Sequence, residues 1–295
     1  MKLSIIGGDL RTVKLIKLLA QDENTIKVWG FENNEEILKL KETKTKVKLC
    51  SGIEDALEGI EIILGPTPFT KDKKYVCTQY TNQKLKIEEL TRNLKGKLLL
   101  AGSIPNNVLD KVEAIDILKD ENLVILNAIS TVEGTINIAI KETQKNLYKS
   151  NILVIGYGRI GKILVDRLNA FKANVYCSAR GKDITWIDTF GGKSIKYEDL
   201  NEQLNKFDII INTVPVLILD KERLKLLDKD VLLIDIASAP GGIDFNVAQD
   251  LKIKTIWELG IPGKIAPLSS AEYIKETIYN ICLLYTSPSP RDSTS

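Results

Sequence analysis

The chain carries 295 residues, 44% of them hydrophobic, with 41 lysines and arginines against 39 aspartates and glutamates and no histidine. That is enough apolar material for two domains with separate cores, and a formal net charge of +2 spread as single lysines among acids excludes a nucleic-acid binder that relies on a basic block. Without histidine there is no Ser-His-Asp triad, no Cys-His pair and no imidazole proton shuttle, so acid–base work falls to carboxylates, lysines, tyrosines or water.

Cys50, Cys77, Cys177 and Cys282 lie far apart with no CxxC pair, a pattern of scattered reduced thiols from which no metal site is expected. No apolar run approaches the ~20 residues that span a bilayer. The opening MKLSIIGGD reaches glycine and aspartate too soon for a signal peptide. The expectation is a cytoplasmic protein with no membrane segment.

In chain order, Leu3 to Ile6 reads as a strand running into Gly7-Gly8-Asp9-Leu10-Arg11, followed by Val13, Leu15, Ile16, Leu18 and Leu19 at helical spacing. This strand, glycine turn and helix lacks the full dinucleotide fingerprint, so the first domain reads as Rossmann-like without being the obvious nucleotide site. Further strands are predicted over 26–31, 47–50, 60–64, 97–101 and 123–127, with helices between most of them. That alternation implies a parallel, doubly wound sheet. Pro66-Thr67-Pro68 and Gly102-Ser103-Ile104-Pro105 fall at carboxyl ends, where open α/β sheets bind ligands.

Ser130-Thr131-Val132-Glu133 has the S-x-x-E form of a capping box and predicts a linking helix over 130–147. Capping alone accounts for Ser130 and Glu133, and their place at the junction of two domains keeps a substrate role open.

The chain is organised around Asn151 to Gly161. Ile152 to Ile155 is a short apolar strand that meets Gly156-Tyr157-Gly158-Arg159-Ile160-Gly161, and a helix pattern with Ile163, Leu164 and Leu168 continues from it. The first glycine permits the turn, the second lets backbone N–H groups approach a pyrophosphate, and the third packs helix on strand. A lone GxGxxG is also compatible with a turn that binds nothing. Here a second strand over 173–179 supplies the context that the motif requires, so all six residues are assigned to a dinucleotide. The second strand ends in Cys177-Ser178-Ala179-Arg180-Gly181-Lys182, with no acid where an NAD site places one for the ribose hydroxyls. Ser178 as donor and Arg180 as ion pair fit a 2′-phosphate, hence NADP; in the alternative, Arg180 is solvated and Asp183 takes the ribose. Strands over 208–213, 231–236 and 254–257 follow. The small residues at their ends admit a planar cofactor, and Thr213, Val214, Pro215 and Ala237 are assigned to it. Ordinary turn chemistry is the competing reading.

Beyond an amphipathic stretch over 269–281 the text changes to CLLYTSPSPRDSTS, which resembles the translated read-through of a sequencing-library adapter, and 282–295 is set aside. The fold expected is α/β, with two Rossmann-like doubly wound parallel-sheet domains and a cleft between them. Residues 1–129, completed by the helix 269–281, form the substrate or partner domain, and 130–268 the NADP domain.

Six segments in order, IIGGDLR, STVEGT, VIGYGRIG, INTVP, LIDIASAPGG and LGIPGKIAP, resemble the dipicolinate synthase A-subunit family over nearly all of 1–281. The resemblance implies a fold similar to formate and glycerate dehydrogenases. It also implies NADP-dependent oxidation of a dihydrodipicolinate-type precursor to pyridine-2,6-dicarboxylate, in the mother cell of a spore-forming bacterium, with the partner a flavoprotein-like second subunit. The end of the chain departs from the family. A substrate with two carboxylates calls for fixed donors. Arg11 is the candidate clamp, with Ser103, Thr131 and the Gly241-Gly242 backbone for the second acid and Glu133 in the same constellation. Arg11 also reads as a solvated first-turn residue. A homo-oligomer is compatible with the sequence. Two other classes stay open. One is a D-2-hydroxyacid dehydrogenase-like enzyme, against which the missing histidine argues; the other is a nucleotide-sensing regulatory subunit without chemistry.

Overall fold

The computed structural model describes residues 1–286. The strands are β1 (Lys2–Ile6), β2 (Thr25–Trp29), β3 (Val47–Leu49), β4 (Ile62–Leu64), β5 (Leu98–Ala101), β6 (Ala114–Asp116), β7 (Asn151–Ile155), β8 (Asn174–Ala179), β9 (Lys193–Lys196), β10 (Ile209–Asn212), β11 (Leu232–Asp235) and β12 (Thr255–Trp257). The α-helices are α1 (Leu10–Gln21), α2 (Glu35–Thr43), α3 (Ile53–Leu57), α4 (Ile87–Arg92), α5 (Asn106–Leu109), α6 (Glu121–Glu142), α7 (Arg159–Ala170), α8 (Ile184–Thr189), α9 (Lys221–Leu224), α10 (Phe245–Asp250), α11 (Ile261–Ile265) and α12 (Pro267–Thr286).

Two compact units result, one built from Met1–Asn127 with residues 266–286, the other from Ala128–Ile265. The first holds a six-stranded sheet in the order β3-β2-β1-β4-β5-β6, the second one in the order β12-β11-β10-β7-β8-β9. Every pairing is parallel. Numbered within its own unit, each sheet follows 3-2-1-4-5-6, the doubly wound Rossmann order, with its switch point between β1 and β4 or between β7 and β10.

Sequence produces this through strands that are apolar on both faces, as sheets covered by helices on both sides require. In the first unit Leu3, Ile5, Ile26, Val28 and Leu100 face a cluster completed by α1 and α12. Ile6, Trp29, Ile63, Leu99 and Ala101 face the opposite cluster with α3 and α4. The period-two alternation along each strand divides the residues between the faces, and each fully buried Leu or Ile contributes about 1.5–3 kcal/mol. The second unit repeats the plan. Ile152, Val154, Ile209, Ile211, Leu232 and Ile234 pack with α6 and α7, and Leu153, Ile155, Ile210 and Leu233 pack on the other side. Helix α12 is tied to the end of α1 by polar contacts as well. Tyr279 donates to Asp22 Oδ2 at 2.6 Å, Lys275 pairs with the same oxygen at 2.7 Å, and Asn24 Nδ2 donates to the Tyr279 hydroxyl at 3.0 Å.

Several sequence expectations are corrected. Residues 123–127, expected as a strand, lie inside α6, and the sixth strand is Ala114–Asp116. A short apolar run fits either period, and its length as part of a 22-residue element decides for helix. The helix is capped at Asp120, whose Oδ1 accepts from Leu123 N at 2.8 Å. Ser130, 3% exposed, and Glu133 therefore stand mid-helix and form no capping box. The helix ends at Glu142, not 147. The edge strand β9 was not foreseen. Helix α12 continues past Ile281 and buries Cys282 in the first core; from residue 287 on, the stretch that was set aside lies outside the described residues. By length and composition alone α6 could cross a bilayer, with a mean hydropathy of 1.6 in its most apolar window, contrary to the expectation that no stretch would. Its apolar side chains serve cores, Leu123 in the first unit and Val132, Ile136 and Ala139 in the second.

Candidate functional site

In the second unit β7 runs into Gly156, whose φ of +99° lies in the region that side chains avoid. Its N–H donates to Ser178 O at 2.8 Å, and a Cβ there would come within 2.4 Å of Thr213 Oγ1, the hydroxyl that donates to Ile155 O at 2.9 Å. A Cβ on Gly161 would meet Gly156 O at 2.1 Å. The first and third glycines are thus demanded by the chain's own packing. Gly158 is different, because a Cβ there would meet nothing within 4 Å. It is the N-cap of the 12-residue α7 and supplies no side-chain cap. A side chain there would enter open space beside the start of the helix, whose positive dipole end suits a pyrophosphate. Tyr157 and Ile160 pack into the adjoining core, with the Lys162 ammonium 5.8 Å over the Tyr157 ring.

At the end of β8 the two candidates part. Ser178 is fully buried, and its hydroxyl has no partner among the described residues, so it does not reach a phosphate outside the sheet; it lies on a strand flanked by β7 and β9. Its neighbour Cys177 is equally enclosed, and burial pushes its thiol up to about 12. Arg180 is exposed, with Gly181 and Lys182 beyond it and Asp183 the first acid.

Two residues that sequence reasoning passed over organise the ends of β10 and β11. Asp235, fully buried, accepts from Asn212 Nδ2 at 2.9 Å, from Ala237 N at 2.9 Å and from Gly242 N at 2.7 Å. Asn212, its register partner on β10, also donates to Val214 O at 2.9 Å and accepts from Val214 N at 3.2 Å. The Gly242 amide is therefore committed inward, and the Gly241 amide donates to Ser238 O at 2.9 Å. Neither is the substrate donor that sequence suggested. Ala237 is 4% exposed and its carbonyl accepts from Trp257 Nε1 at 3.0 Å. The signal lay in the sequence as polar residues closing two apolar strands, III-Asn212 and LLI-Asp235. Pro215 is exposed at the end of the β10 turn.

In the first unit Arg11 is 8% exposed, so it is not the solvated first-turn residue. Its Nε lies 3.1 Å from each Asp9 carboxylate oxygen and its Nη2 2.7 Å from Oδ2, and Nη2 also donates to Thr67 O. Asp9 in turn caps α1 by accepting from Arg11 N at 3.0 Å. The guanidinium thus ties the turn after β1 to the turn after β4. Ser103, exposed with φ +55°, follows β5 and donates its N–H to Asp116 Oδ1 at 3.0 Å. Thr131 and Glu133 lie on α6, where Thr131 O accepts from Thr135 Oγ1 at 2.7 Å and Glu133 is exposed. Arg11 and Ser103 belong to the first unit, and Thr131, Glu133, Gly241 and Gly242 to the second. No group of three or more Cys, Asp or Glu side chains among the described residues is placed to hold a metal ion.

The family model for the N-terminal domain of the dipicolinate synthase A-subunit matches residues 2–118, and that for the D-isomer specific 2-hydroxyacid dehydrogenase NAD binding domain matches 128–246. Over 287 residues the chain is 30% identical to the dipicolinate synthase A-subunit of Bacillus subtilis (strain 168), covering 94% of each. The crystal structure of the same subunit from Bacillus subtilis superposes with a TM-score of 0.84 at 27% identity, covering 96% of each chain. That of the A-subunit from Bacillus halodurans does so with 0.83 at 25% identity, covering 97% of this chain and 98% of that one. The second unit is thus a nicotinamide-nucleotide domain, in agreement with the open turn at Gly158.

Proposed function

The chain belongs to the dipicolinate synthase A-subunit family, a family of oxidoreductase fold, and from that premise we propose that it oxidises a dihydrodipicolinate-type precursor to pyridine-2,6-dicarboxylate with NADP. The observation that carries the proposal is the vacant space at Gly158, in front of α7. The bound nicotinamide would supply the two-electron acceptor, and loss of a proton from the same ring makes the product aromatic, so the substrate itself provides the driving force. The protein's task is orientation and charge. Gly156 to Gly161 would hold the pyrophosphate, the turns after β10 and β11 would form the wall beside the nicotinamide, and cationic side chains would meet the carboxylates of the substrate. No imidazole is needed, because water or a carboxylate accepts a weakly held proton.

NADP in place of NAD rests on Arg180, exposed beyond β8 with no acid before Asp183. A 2′-phosphate there gains a charge-assisted hydrogen bond. Arg180→Ala is expected to cost about 1.5–3 kcal/mol of NADP binding, near a ten- to hundredfold change, and little of NAD binding. Equal wild-type affinities for the two cofactors, or equal losses, would refute it. The setting we propose is the cytoplasm of the mother cell of a spore-forming bacterium, beside a flavoprotein-like second subunit.

The decisive experiment follows reduced-nicotinamide absorbance with purified protein, NADP and freshly generated dihydrodipicolinate. Turnover supports the proposal. NADP binding without turnover, alone or with the second subunit, would make the chain a nucleotide-sensing component, and turnover of simple 2-hydroxy acids would make it a hydroxyacid dehydrogenase despite its lack of histidine.

A further inference from the structure

The two units share one strand order, yet only one keeps its glycine turn open. In the first unit Cys77 to Gln79 lie across the turn after β1. Gly8 N donates to Cys77 O at 2.9 Å and Gln79 N to Gly8 O at 3.1 Å, and a Cβ on Gly7 would strike Cys77 O at 2.6 Å. The place where a pyrophosphate would approach is filled by the chain itself. A doubly wound sheet still gathers ligands at its switch point, here between β1 and β4. A cavity of about 430 Å³ stands there, walled by Gly8 and Asp9 after β1, by Pro66 to Pro68 after β4, and by Tyr75 to Gln79. That volume suits a compact ligand.

The charge on the walls decides which ligand. Both acids that line the cavity are engaged, Asp9 by the Arg11 guanidinium and Asp72 by the N–H groups of Lys74 at 2.9 Å and Tyr75 at 2.8 Å. The two lysines that line it, Lys71 and Lys84, are exposed and form no ion pair with a described residue; the Lys84 ammonium lies 5.6 Å over the Tyr75 ring. With Asp9 paired to Arg11, the two lysines exceed the remaining acid, Asp72, by one positive charge, and the Thr78 hydroxyl and the flat faces of Tyr75 and Pro66 share the same space. We propose that this cavity binds the planar dicarboxylate, with Lys71 and Lys84 supplying the charge that its carboxylates meet. Neither lysine was singled out by sequence, because both stand on loops that only the fold brings to the switch point.

The inference rests on the function proposed above, and the test separates the two. Pyridine-2,6-dicarboxylate is titrated calorimetrically into the full chain in buffer free of divalent cations, for wild type, Lys71→Gln, Lys84→Gln and the double variant. NADPH binding and thermal midpoint serve as controls. Both side chains are exposed, so the controls should not move. Each single variant is expected to lose about tenfold in affinity and the double variant more, as for charge-assisted hydrogen bonds near a surface. Pyridine-2-carboxylate should bind the wild type more weakly than the diacid. A double variant that binds the diacid within about twofold of wild type overturns the cavity assignment and leaves the proposed function standing. A wild type that binds NADPH but no diacid overturns the proposed substrate and the cavity assignment together.

Discussion

The glycine turn of the second unit makes opposite demands at two positions three residues apart, and a pair of alanine variants exposes the difference. At Gly158 the backbone sits at φ −78° and ψ −162°, which any residue adopts, and an added Cβ meets nothing within 4 Å. Two small terms nearly cancel in stability. Alanine gains about 0.4–1 kcal/mol by restricting the unfolded chain and gives up up to about 1 kcal/mol because glycine is the better N-cap. Gly158→Ala should therefore fold as wild type does, while its methyl group occupies the approach to the α7 N-terminus and lowers NADPH affinity by tenfold or more. At Gly161 the added Cβ would lie 2.1 Å from Gly156 O and 2.9 Å from its carbonyl carbon. Backbone has to move, and the overpacking costs about 1–3 kcal/mol. Gly161→Ala should lose stability first and binding as a consequence. Calorimetric melting with NADPH fluorescence titration measures both. A Gly158→Ala protein that binds NADPH as tightly as wild type would show that no phosphate approaches there.

The contact between α12 and the end of α1 predicts a stability loss on both sides of neutrality. The Lys275 and then the Tyr279 hydrogen bonds hold the Asp22 carboxyl below its usual range, so its contribution is present above about pH 4 and fades as pH falls through the lowered value. Burial first and the hydrogen bond to Asp22 second push the Tyr279 phenol up to about 12, so its contribution is present below about pH 10 and fades between there and 12. Tyr279→Phe should flatten the alkaline limb of a plot of melting temperature against pH, and an unchanged limb would discount the contact. Burial also pushes the Cys50 and Cys177 thiols up to about 11 and about 12, so a thiol reagent at neutral pH should modify both slowly in the native protein and rapidly once it is unfolded; rapid native reaction at Cys177 would contradict its placement.

Most of both sheets and the cofactor turn were legible because their signals are local. Apolar runs such as Leu3 to Ile6 and Ile152 to Ile155, each followed by glycine and a helical period, leave a parallel sheet little freedom, and Gly156, Gly158 and Gly161 stand where one turn needs them; β6 and β9, short and without a glycine turn, gave no such signal. Ambiguity entered where one stretch suits two periods. Leu123 to Asn127 reads equally as strand or helix, and only Asp120, capping three residues upstream, decides it. Ser178 and Cys177 alternate in direction on β8, but both are fully buried and neither emerges, which a local reading of Ser178 beside Arg180 could not reveal. Arg11 pairs with Asp9 two residues before it, but its burial comes from the turn at Thr67, 56 residues on, and Lys71 and Lys84 reach the turn after β1 only because the sheet places β4 beside β1. That placement is set by topology and leaves no trace in local spacing.

Asp235 offers the sharpest test of how the cofactor wall is held. It is fully buried and accepts three hydrogen bonds. In Asp235→Ala the amides of Ala237 and Gly242 are left without that acceptor, at about 1–3 kcal/mol each, while Asn212 keeps its bond to Val214 O. The expected loss is about 2–5 kcal/mol, which at about 4 °C per kcal/mol for a domain of this size lowers the midpoint by roughly 10–20 °C. Asp235→Asn retains the shape and one acceptor oxygen but sets an NH2 group against one amide, for about 1–3 kcal/mol. That milder variant separates support of the wall from support of the fold. The β10 and β11 turns lie on the far side of the switch point from β8, so a disturbed wall should weaken NADPH, which spans the site, and spare adenosine 2′,5′-bisphosphate, which occupies only the β8 side. Calorimetric titration of both ligands below the melting range decides it. Equal weakening of the two would mean that Asp235 supports the unit as a whole, and no weakening of either would mean that the turns it holds do not touch the cofactor.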